Sequence, residues 1–228
     1  MDFKFFFKKF PRGYLVLEKT ESKINGQIEV REDIFGKRGI FVNKLSQSGH
    51  LVERLWQKPI KRVISFRFSV KSCLILGAGA GSVAKVIHKF FPEAKILGVE
   101  IDPMMIKLGK KYFNLSTVKN LEIKICDAIS TINHKQSLLL RNQSSTINQF
   151  DLILVDIYLG DEVPEKAKAD EFIMRVKKSL SPSGMAIFIR LYYGKKKKEA
   201  NQFESRLKEI FPQVESLRIS PSIFFLCR

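Results

Sequence analysis

The amino-acid sequence predicts an α/β fold: a Rossmann-like, mostly parallel seven-stranded sheet with an antiparallel edge strand, preceded by a small N-terminal antiparallel β domain. From Lys71 onward, short apolar runs typical of strands buried on both faces alternate with segments of helical periodicity. Such alternation indicates a parallel sheet with right-handed crossovers. Residues 14–42 instead join short apolar runs through turn residues, which favours an antiparallel sheet. We therefore predict an N-terminal β-hairpin domain over residues 1–48 and a larger domain over residues 49–228.

The N-terminal part consists of short strands joined by tight turns. Asn25-Gly26, between the first two strands, is a strong hairpin signal because both residue types tolerate positive φ. A helix is predicted to follow over His50–Ile64. The predicted strands are Tyr14–Leu17, Gln27–Val30 and Gly39–Val42. The apolar stripe of the helix consists of Leu51, Leu55, Ile60 and Val63.

The larger part contains the strands and helices of the parallel sheet. Ser181–Gly184 is interpreted as a turn, and the polar stretch Asn133–Asn148 as a surface insertion. The predicted strands are Cys73–Leu76, Ile96–Val99, Leu121–Ile125, Phe150–Val155, Met185–Arg190, Val214–Ile219 and Ile223–Cys227. The predicted helices are Val83–Phe91, Met104–Tyr112, Ala169–Leu180 and Gln202–Ile210.

The chain is strongly basic. Forty Lys and Arg against 23 Asp and Glu give a net charge of +17, which would attract nucleic acid or anionic lipid. The lysines are, however, spread along the chain, so we interpret most of them as solvated. The run Lys195–Lys198 is interpreted as a solvated helix start. A nucleic-acid partner is therefore possible but not favoured.

Neither a metal site nor a membrane segment is expected. The three cysteines, Cys73, Cys126 and Cys227, form no CxxC pair, and the three histidines supply no metal-ligand spacing. No apolar run reaches the length of a signal peptide or a transmembrane helix. We expect a protein of the reducing cytoplasm with no membrane contact.

A glycine-rich turn is the strongest functional signal. The buried strand ending at Leu76 enters Gly77-Ala78-Gly79-Ala80-Gly81, and a helix begins immediately afterwards. Gly77 and Gly79 would let the backbone bend sharply and approach a ligand, while the helix start offers free N–H groups. Alone, such a pattern is also compatible with an ordinary tight connection between a strand and a helix.

Three carboxylates at strand ends strengthen this interpretation. Glu100 ends the second parallel strand, 19 residues after Gly81, where an acidic residue can accept both ribose hydroxyls of a nucleoside. Asp127 and Asp156 follow the third and fourth strands, so all should meet in one crevice. Ser82 stands where a dinucleotide motif G-x-G-x-x-G would have its third glycine. A sulfonium nucleoside without a pyrophosphate, S-adenosyl-L-methionine, is the favoured cofactor, with a dinucleotide as the alternative.

The sequence resembles the spermidine synthase-like branch of the class I S-adenosylmethionine-dependent methyltransferase-fold proteins. The matching stretches include VEIDPMMIKLGKKY at Val99–Tyr112 and FDLILVDIYLGDEVP at Phe150–Pro164. The resemblance also covers IEVREDIFGKRGIFVNKLSQS at Ile28–Ser48, the glycine turn and Cys126–Ala128.

The resemblance implies roles for individual residues. Gly77 and Gly79 would lie beneath the amino-acid part of the cofactor, Glu100 on the ribose and Asp127 by the adenine. A loop that begins at Asp156 would line the acceptor site. The implied cofactor-binding set is Gln47, Gly77, Ala78, Gly79, Glu100, Ile101, Asp127, Ala128 and Asp156. The implied catalytic set is Asp156, Tyr158 and Asp161.

Two departures from the family pattern bear on the reaction. Aminopropyltransferases of this family resemble G-G-G-D-G-G at the glycine turn, where this chain has Ala80 in place of the Asp. They also carry D-S-S/T-D after the fourth strand, where Leu159 replaces the second Asp. Without these two carboxylates, the site would have less negative charge with which to bind a positively charged polyamine. We predict an S-adenosylmethionine-dependent methyltransferase with a small-molecule acceptor.

Two other functions remain open, namely an aminopropyltransferase of polyamine biosynthesis and a non-catalytic cofactor-binding homologue. A homodimer is possible, because the N-terminal sheet would leave strand edges that a partner subunit could cover.

Overall fold

The computed structural model describes residues 13–133 and 149–228. Nearly all of the predicted insertion over Asn133–Asn148, and the aromatic opening of the chain, lie outside the described residues. The described chain forms two sheets, and the α/β architecture predicted from the sequence is confirmed.

The N-terminal sheet has four antiparallel strands in the order β1-β2-β3-β4. Buried side chains alternate along its strands, as the two-residue period requires, and this inner face packs on the helix Pro103–Tyr112. The fourth strand is not predicted by the sequence, because Leu45–Gly49 lacks apolar alternation. The strands are β1 (Tyr14–Ser22), β2 (Gly26–Asp33), β3 (Arg38–Val42) and β4 (Leu45–Gly49).

The main sheet has seven strands in the order β10-β11-β9-β8-β5-β6-β7. The central strands pair in parallel, and β11 pairs antiparallel with both β9 and β10, as the predicted terminal hairpin requires. The strands are β5 (Ser72–Leu76), β6 (Lys95–Glu100), β7 (Leu121–Ile125), β8 (Phe150–Val155), β9 (Leu180–Leu191), β10 (Val214–Ile219) and β11 (Ser222–Cys227).

Helices cover both faces of this sheet. Leu74 and Leu76 of β5 pack into the layer formed with α5 and α6, whereas Cys73 and Ile75 pack into the layer of α1 and α2. This alternation explains why β5 reads as one continuous apolar run. The helices are α1 (His50–Ser65), α2 (Ser82–Phe90), α3 (Pro103–Tyr112), α4 (Ala128–Asn133), α5 (Asp170–Lys178) and α6 (Lys196–Ile210), with short 3-10 turns at Leu115–Thr117 and Glu165–Ala167.

Two local expectations are wrong. The predicted turn at Ser181–Gly184 is part of β9, in which Leu180 pairs with Phe150 and Met185 pairs with Leu152, so the intervening residues bulge from the ladder. Leu51 of the predicted core stripe is 58% exposed, because that part of α1 faces a cavity rather than the core.

No helix within the described ranges is long and apolar enough to cross a membrane.

Candidate functional site

A cavity of about 270 Å³ opens at the carboxyl ends of the parallel strands. This is the edge at which open α/β sheets bind ligands. The cavity contains the glycine turn and all three strand-end carboxylates that the sequence singled out. Its predicted site residues are Gln47, Gly77, Ala78, Gly79, Glu100, Ile101, Asp127, Ala128, Asp156 and Tyr158.

The glycine turn brings β5 into close contact with the strand beside it. Gly77 has φ +89°, and a Cβ built on it would lie 2.1 Å from the carbonyl oxygen of Asp156. A side chain at this position is therefore excluded by both conformation and space. The N–H groups of Gly77 and Ala78 donate to the carbonyl of Val99, which ties the turn to β6.

Glu100 is held in one orientation at the end of β6. Its side chain accepts hydrogen bonds from the Gly79 N–H at 2.7 Å and from the Asp102 N–H at 2.9 Å, one at each carboxylate oxygen. Burial raises the pKa of the carboxyl, since the charged form loses solvent, while these N–H donors partly oppose that shift. A carboxylate oxygen accepts more than one hydrogen bond, so Glu100 retains capacity for ligand hydroxyls.

Asp127 has a structural role that the sequence did not predict. Its carboxylate accepts the Ile129 N–H at 3.0 Å and the Ser130 hydroxyl at 2.7 Å, which is N-terminal capping of α4. This capping holds the side chain at the cavity wall, where Asp127 also faces the ligand space.

Asp156 lies where β8 ends. The indole N–H of the buried Trp56 donates to its carboxylate at 3.2 Å. Burial raises the pKa of this carboxyl to about 6, to which the charge of Glu100 contributes, while the Trp56 hydrogen bond and the guanidinium of Arg190 oppose it. A carboxyl with a pKa near neutrality can exchange a proton under physiological conditions.

Tyr158 is anchored at the cavity wall by its hydroxyl. That group accepts the Leu191 N–H at 3.0 Å and donates to the Ile189 carbonyl at 3.4 Å, so it is engaged with β9. Burial raises the pKa of the phenol, and the hydroxyl therefore stays protonated. These contacts favour a positioning role for Tyr158 over proton transfer.

Asp161 is not brought into the cavity. It lines a smaller pocket of about 30 Å³, together with Arg190 and Lys196, behind the loop that follows β8. The neighbouring Glu162 forms an ion pair with Lys196, which directs this part of the loop towards α6. Of the implied catalytic set, Asp156 and Tyr158 line the cavity and Asp161 does not, because a local motif does not determine which way a loop turns.

The N-terminal sheet contributes residues that the sequence reading missed. Ile24 and Asn25, in the turn between β1 and β2, line the cavity. The turn is held by Asp102, whose carboxylate accepts the Ser22 hydroxyl at 2.5 Å and the Asn25 amide at 2.6 Å. The only available sequence signal was the hairpin motif itself, which says nothing about where its tip docks.

Two further contacts join β4 to the main domain. The Ser82 hydroxyl, at the start of α2, accepts the Gly49 N–H at 2.6 Å and lies 2.7 Å from the Ser48 hydroxyl. The Gln47 amide donates to the Gly160 carbonyl at 3.0 Å. Gln47 thus bridges the N-terminal sheet and the loop after β8.

A second cavity, of about 470 Å³, adjoins the first and shares Gln47, Val52, Asp156 and Tyr158 with it. Asp156 therefore lines both cavities, at the place where they adjoin. Within residues 13–133 and 149–228, no cluster of three or more His, Cys, Asp or Glu side chains could hold a metal ion.

Residues 60–221 match the family model described as the spermine/spermidine synthase domain. The chain belongs to this family. The spermine/spermidine synthase domain thus includes the glycine turn, Glu100, Asp127 and Asp156, whereas β1–β4 precede the matched range.

Curated relatives of this domain include two kinds of transferase. A polyamine aminopropyltransferase of Vibrio vulnificus is 32% identical over 50% of this chain and 36% of its own length. An eEF1A lysine and N-terminal methyltransferase homolog of Drosophila pseudoobscura is 24% identical over 88% of this chain and 28% of its own length. The chain thus spans about a third of each relative.

Solved structures share the fold. A probable spermidine synthase from Corynebacterium glutamicum aligns with a TM-score of 0.76 and 18% identity, covering 93% of this chain and 80% of that one. Human methyltransferase-like protein 13 in complex with SAH aligns with a TM-score of 0.58 and 21% identity, covering 78% of this chain and 79% of that one.

Proposed function

We propose that the protein is an S-adenosyl-L-methionine-dependent methyltransferase acting on a small molecule. The observation that carries this proposal is the convergence of the glycine turn with Glu100, Asp127 and Asp156 in one cavity. Carboxylates suit the hydroxyl and amino groups of an adenosine and the positive charge of a sulfonium, whereas a pyrophosphate would be repelled by them. S-adenosyl-L-methionine therefore fits this rim better than a dinucleotide does.

Each lining residue has a task in binding this cofactor. Glu100, fixed by two backbone N–H groups, would accept the ribose hydroxyls. Asp127 would lie by the adenine, next to Ile101 and Ala128. The turn at Gly77–Gly79 would approach the amino-acid part, with Gln47 at the border of the pocket. The cofactor supplies the activated methyl group, and the protein supplies alignment and exclusion of water.

Asp156 is the residue best placed to act on the acceptor. It lies between the two cavities, and its pKa of about 6 suits a group that takes a proton from an attacking nucleophile. Tyr158, also shared by both cavities, would position the acceptor. Asp161 lies in a separate pocket, so we assign it no part in proton transfer.

Methyl transfer is favoured over aminopropyl transfer by the charges along the cavities. Leu159, in the place of a family carboxylate, lines the first cavity and is 48% exposed. Ala80 packs in the apolar cluster beneath the N-terminal sheet and does not line either cavity. Ala80 therefore contributes neither space nor charge to the cavities, and the preference for methyl transfer rests on Leu159 and on the charges of the second cavity. In the second cavity, where Asp156 is the one acid among the described lining residues and Arg54 and Lys58 are cations, a polycationic amine would find little counter-charge.

Aminopropyl transfer is the second candidate, because the family includes enzymes of that reaction and the Vibrio vulnificus relative is one by name. Calorimetric titration with S-adenosylmethionine and with its decarboxylated form separates the two. We expect tighter binding of the intact cofactor. Preference for the decarboxylated form would overturn the methyltransferase proposal in favour of aminopropyl transfer.

Turnover is tested separately from binding. Incubation with methyl-labelled S-adenosylmethionine and a metabolite extract should yield a labelled small molecule, detected by mass spectrometry. Binding of the cofactor without any labelled product would favour a non-catalytic homologue. Labelled RNA, when total cellular RNA replaces the extract, would instead support the nucleic-acid acceptor that the net charge of +17 leaves possible.

We further propose that the protein works in the cytoplasm. All three cysteines are free, and Cys73 and Cys227 are buried, as expected in a reducing compartment. A homodimer remains part of the proposal through the N-terminal sheet, whose edge strand β1 pairs on one side only within the described chain. Light scattering of the purified protein would test whether it forms a dimer.

A further inference from the structure

The second cavity has a composition unlike that of the first. Its volume of about 470 Å³ falls in the range of small-molecule sites. It lies between α1, the end of β4, the loop after β8 and the turn between β10 and β11. Most of its wall is apolar, with Leu55, Trp56, Ile189, Leu191 and Ile219 as examples.

One face of α1 forms a large part of this wall. Leu51, Arg54, Leu55 and Lys58 follow one another at intervals of three, one and three residues, so they share one side of the helix. Leu51 remains 58% exposed there, although leucine at such a position usually packs into a core. The face therefore presents apolar surface and two cations to the cavity.

Neither of the two cations has a counter-ion among the residues that the structure describes. Neither Arg54 nor Lys58 forms an ion pair or a side-chain hydrogen bond with any residue of the described chain. By contrast Arg62, two turns after Arg54 and outside the cavity wall, holds Glu215 through two hydrogen bonds of 2.7 and 2.8 Å. Asp156 is the single carboxylate in the wall that the structure describes, so cations outnumber acids in this cavity.

We propose that this cavity binds the methyl acceptor, and that the acceptor is a small molecule with an apolar body and an anionic group. The anionic group would lie at Arg54 and Lys58, the body along Leu51 and Leu55, and the nucleophile beside Asp156. This inference rests on the proposed methyltransferase function. The proposed acceptor differs from a polyamine, because two cations without counter-ions repel a polycation and attract a carboxylate, sulfonate or phosphate.

Methyl transfer to this acceptor would be a single displacement at the methyl carbon, with Asp156 as the base. The nucleophilic atom of the acceptor forms a bond to the methyl carbon, and the bond between that carbon and sulfur breaks with its electron pair remaining on sulfur. A proton on the nucleophile passes to the Asp156 carboxylate. The anionic group of the acceptor takes no part in the bond changes and serves to orient the molecule.

Two fluorescent probes test the charge preference without any cofactor. Anilinonaphthalene sulfonate and N-phenyl-1-naphthylamine share a ring system, and the first carries a sulfonate. We expect the sulfonate probe to bind wild-type protein about tenfold more tightly or better. Arg54→Gln with Lys58→Gln should remove most of that preference and leave the affinity for the neutral probe unchanged.

The matched control is Lys110→Gln with Lys178→Gln. Both lysines are exposed, lack partners among the described residues and lie outside both cavities, so this variant has the same change in net charge. It should bind both probes like the wild type. A similar loss in the control would attribute the preference to the overall charge of the protein and overturn the proposal.

Competition completes the test. Putrescine should not displace the sulfonate probe, and S-adenosylhomocysteine should bind together with it, since the two cavities are distinct. Displacement by either compound would overturn the proposal. Binding of S-adenosylhomocysteine is read by calorimetry, so its absence would defeat the proposed function while the probe preference still decides the charge class of this cavity.

Discussion

The ionised carboxylate of Asp156 lowers the stability of the fold and is also the form that can act as a base. Its folded-state pKa of about 6 lies above the ordinary value of 3.8, because burial disfavours the charged form. A raised carboxyl pKa gives stability that is complete below the unfolded value and is lost as the pH rises through the folded value. Above about pH 6 the ionised side chain therefore destabilises the fold, and it is then that it can accept a proton.

We expect Asp156→Asn to lower methyl transfer by about 100-fold or more, because the base is lost. The same change should raise the free energy of unfolding at neutral pH by about 3 kcal/mol, since the shift from 3.8 to about 6 is roughly two pKa units and each unit corresponds to about 1.4 kcal/mol. Denaturant unfolding and a labelled-methyl assay measure the two effects. Lower stability together with full activity would contradict both roles of Asp156.

The pH profile gives an independent check on Asp156. In the wild type, transfer should rise with pH through about 6 as the carboxyl ionises. Trp56→Phe removes the N–H donor that favours the charged form, so the midpoint of the profile should move to higher pH. A fall in rate at every pH with an unchanged midpoint would indicate loss of packing instead.

Glu100 is held by a backbone N–H group at each of its carboxylate oxygens. In a Glu100→Gln variant the side-chain NH₂ group, which can only donate, would therefore face one of these N–H donors. We expect Glu100→Gln to weaken binding of S-adenosylhomocysteine by about 10- to 100-fold, as calorimetry would measure. Glu93→Gln, at an exposed position outside the cavity, is the control and should bind normally. Equal affinities would remove Glu100 from the proposed site.

At the scale of elements, the turn between β5 and α2 is the critical connection. A Cβ at Gly77 meets the Asp156 carbonyl oxygen at 2.1 Å, so the parallel strands β5 and β8 would have to separate. We expect Gly77→Ala to cost about 3 kcal/mol or more in stability and to abolish cofactor binding.

Gly194→Ala separates the clash from the conformational cost of positive φ. Gly194 also has positive φ, at +48°, but nothing lies within 4 Å of a Cβ built there. This variant should lose about 1 kcal/mol and keep its affinity for the cofactor. Similar losses for the two variants in thermal unfolding would mean that the contact with Asp156 is unimportant.

The strands also differ in how far local sequence patterns predict them. Strands β5 to β8 were predicted within a residue or two. Burial on both faces gives β5, β6 and β8 nearly continuous apolar runs, whereas the edge strand β7 alternates apolar and charged residues. Strand β4 carries no such pattern: Gln47 contacts Gly160, and Ser48 contacts Ser82. Its strand conformation depends on pairing with β3, and its polar residues depend on partners far along the chain.

At the scale of the whole molecule, the N-terminal sheet completes the wall of the first cavity. Ile24 and Asn25 reach it only because Asp102 holds the tip of the β1–β2 hairpin against the start of α3. The carboxylate of Asp102 is 1% exposed, and it serves at once as helix cap and as anchor.

We expect Asp102→Ala to lower the free energy of unfolding by about 2 kcal/mol, since it removes a cap and leaves partly buried donors without their partner. Affinity for S-adenosylhomocysteine should fall as well, because the hairpin tip is released. Asp33→Ala is the control: its carboxylate caps the exposed β2–β3 turn at the Phe35 and Lys37 N–H groups. That variant should lose some stability and no affinity, and an equal loss of affinity would contradict the anchoring role.

Although it missed β4 and α4, the sequence alone determined most of the strands and helices in their order along the chain, the glycine turn and the carboxylates at the ends of β6, β7 and β8. These features follow from apolar run lengths and from the absence of side chains at one bend, which are local properties. Only the tertiary structure decided that Asp127 caps a helix, that Asp161 turns away, and that Leu51 faces a cavity. Such outcomes depend on contacts between residues far apart in the chain, which no local pattern encodes.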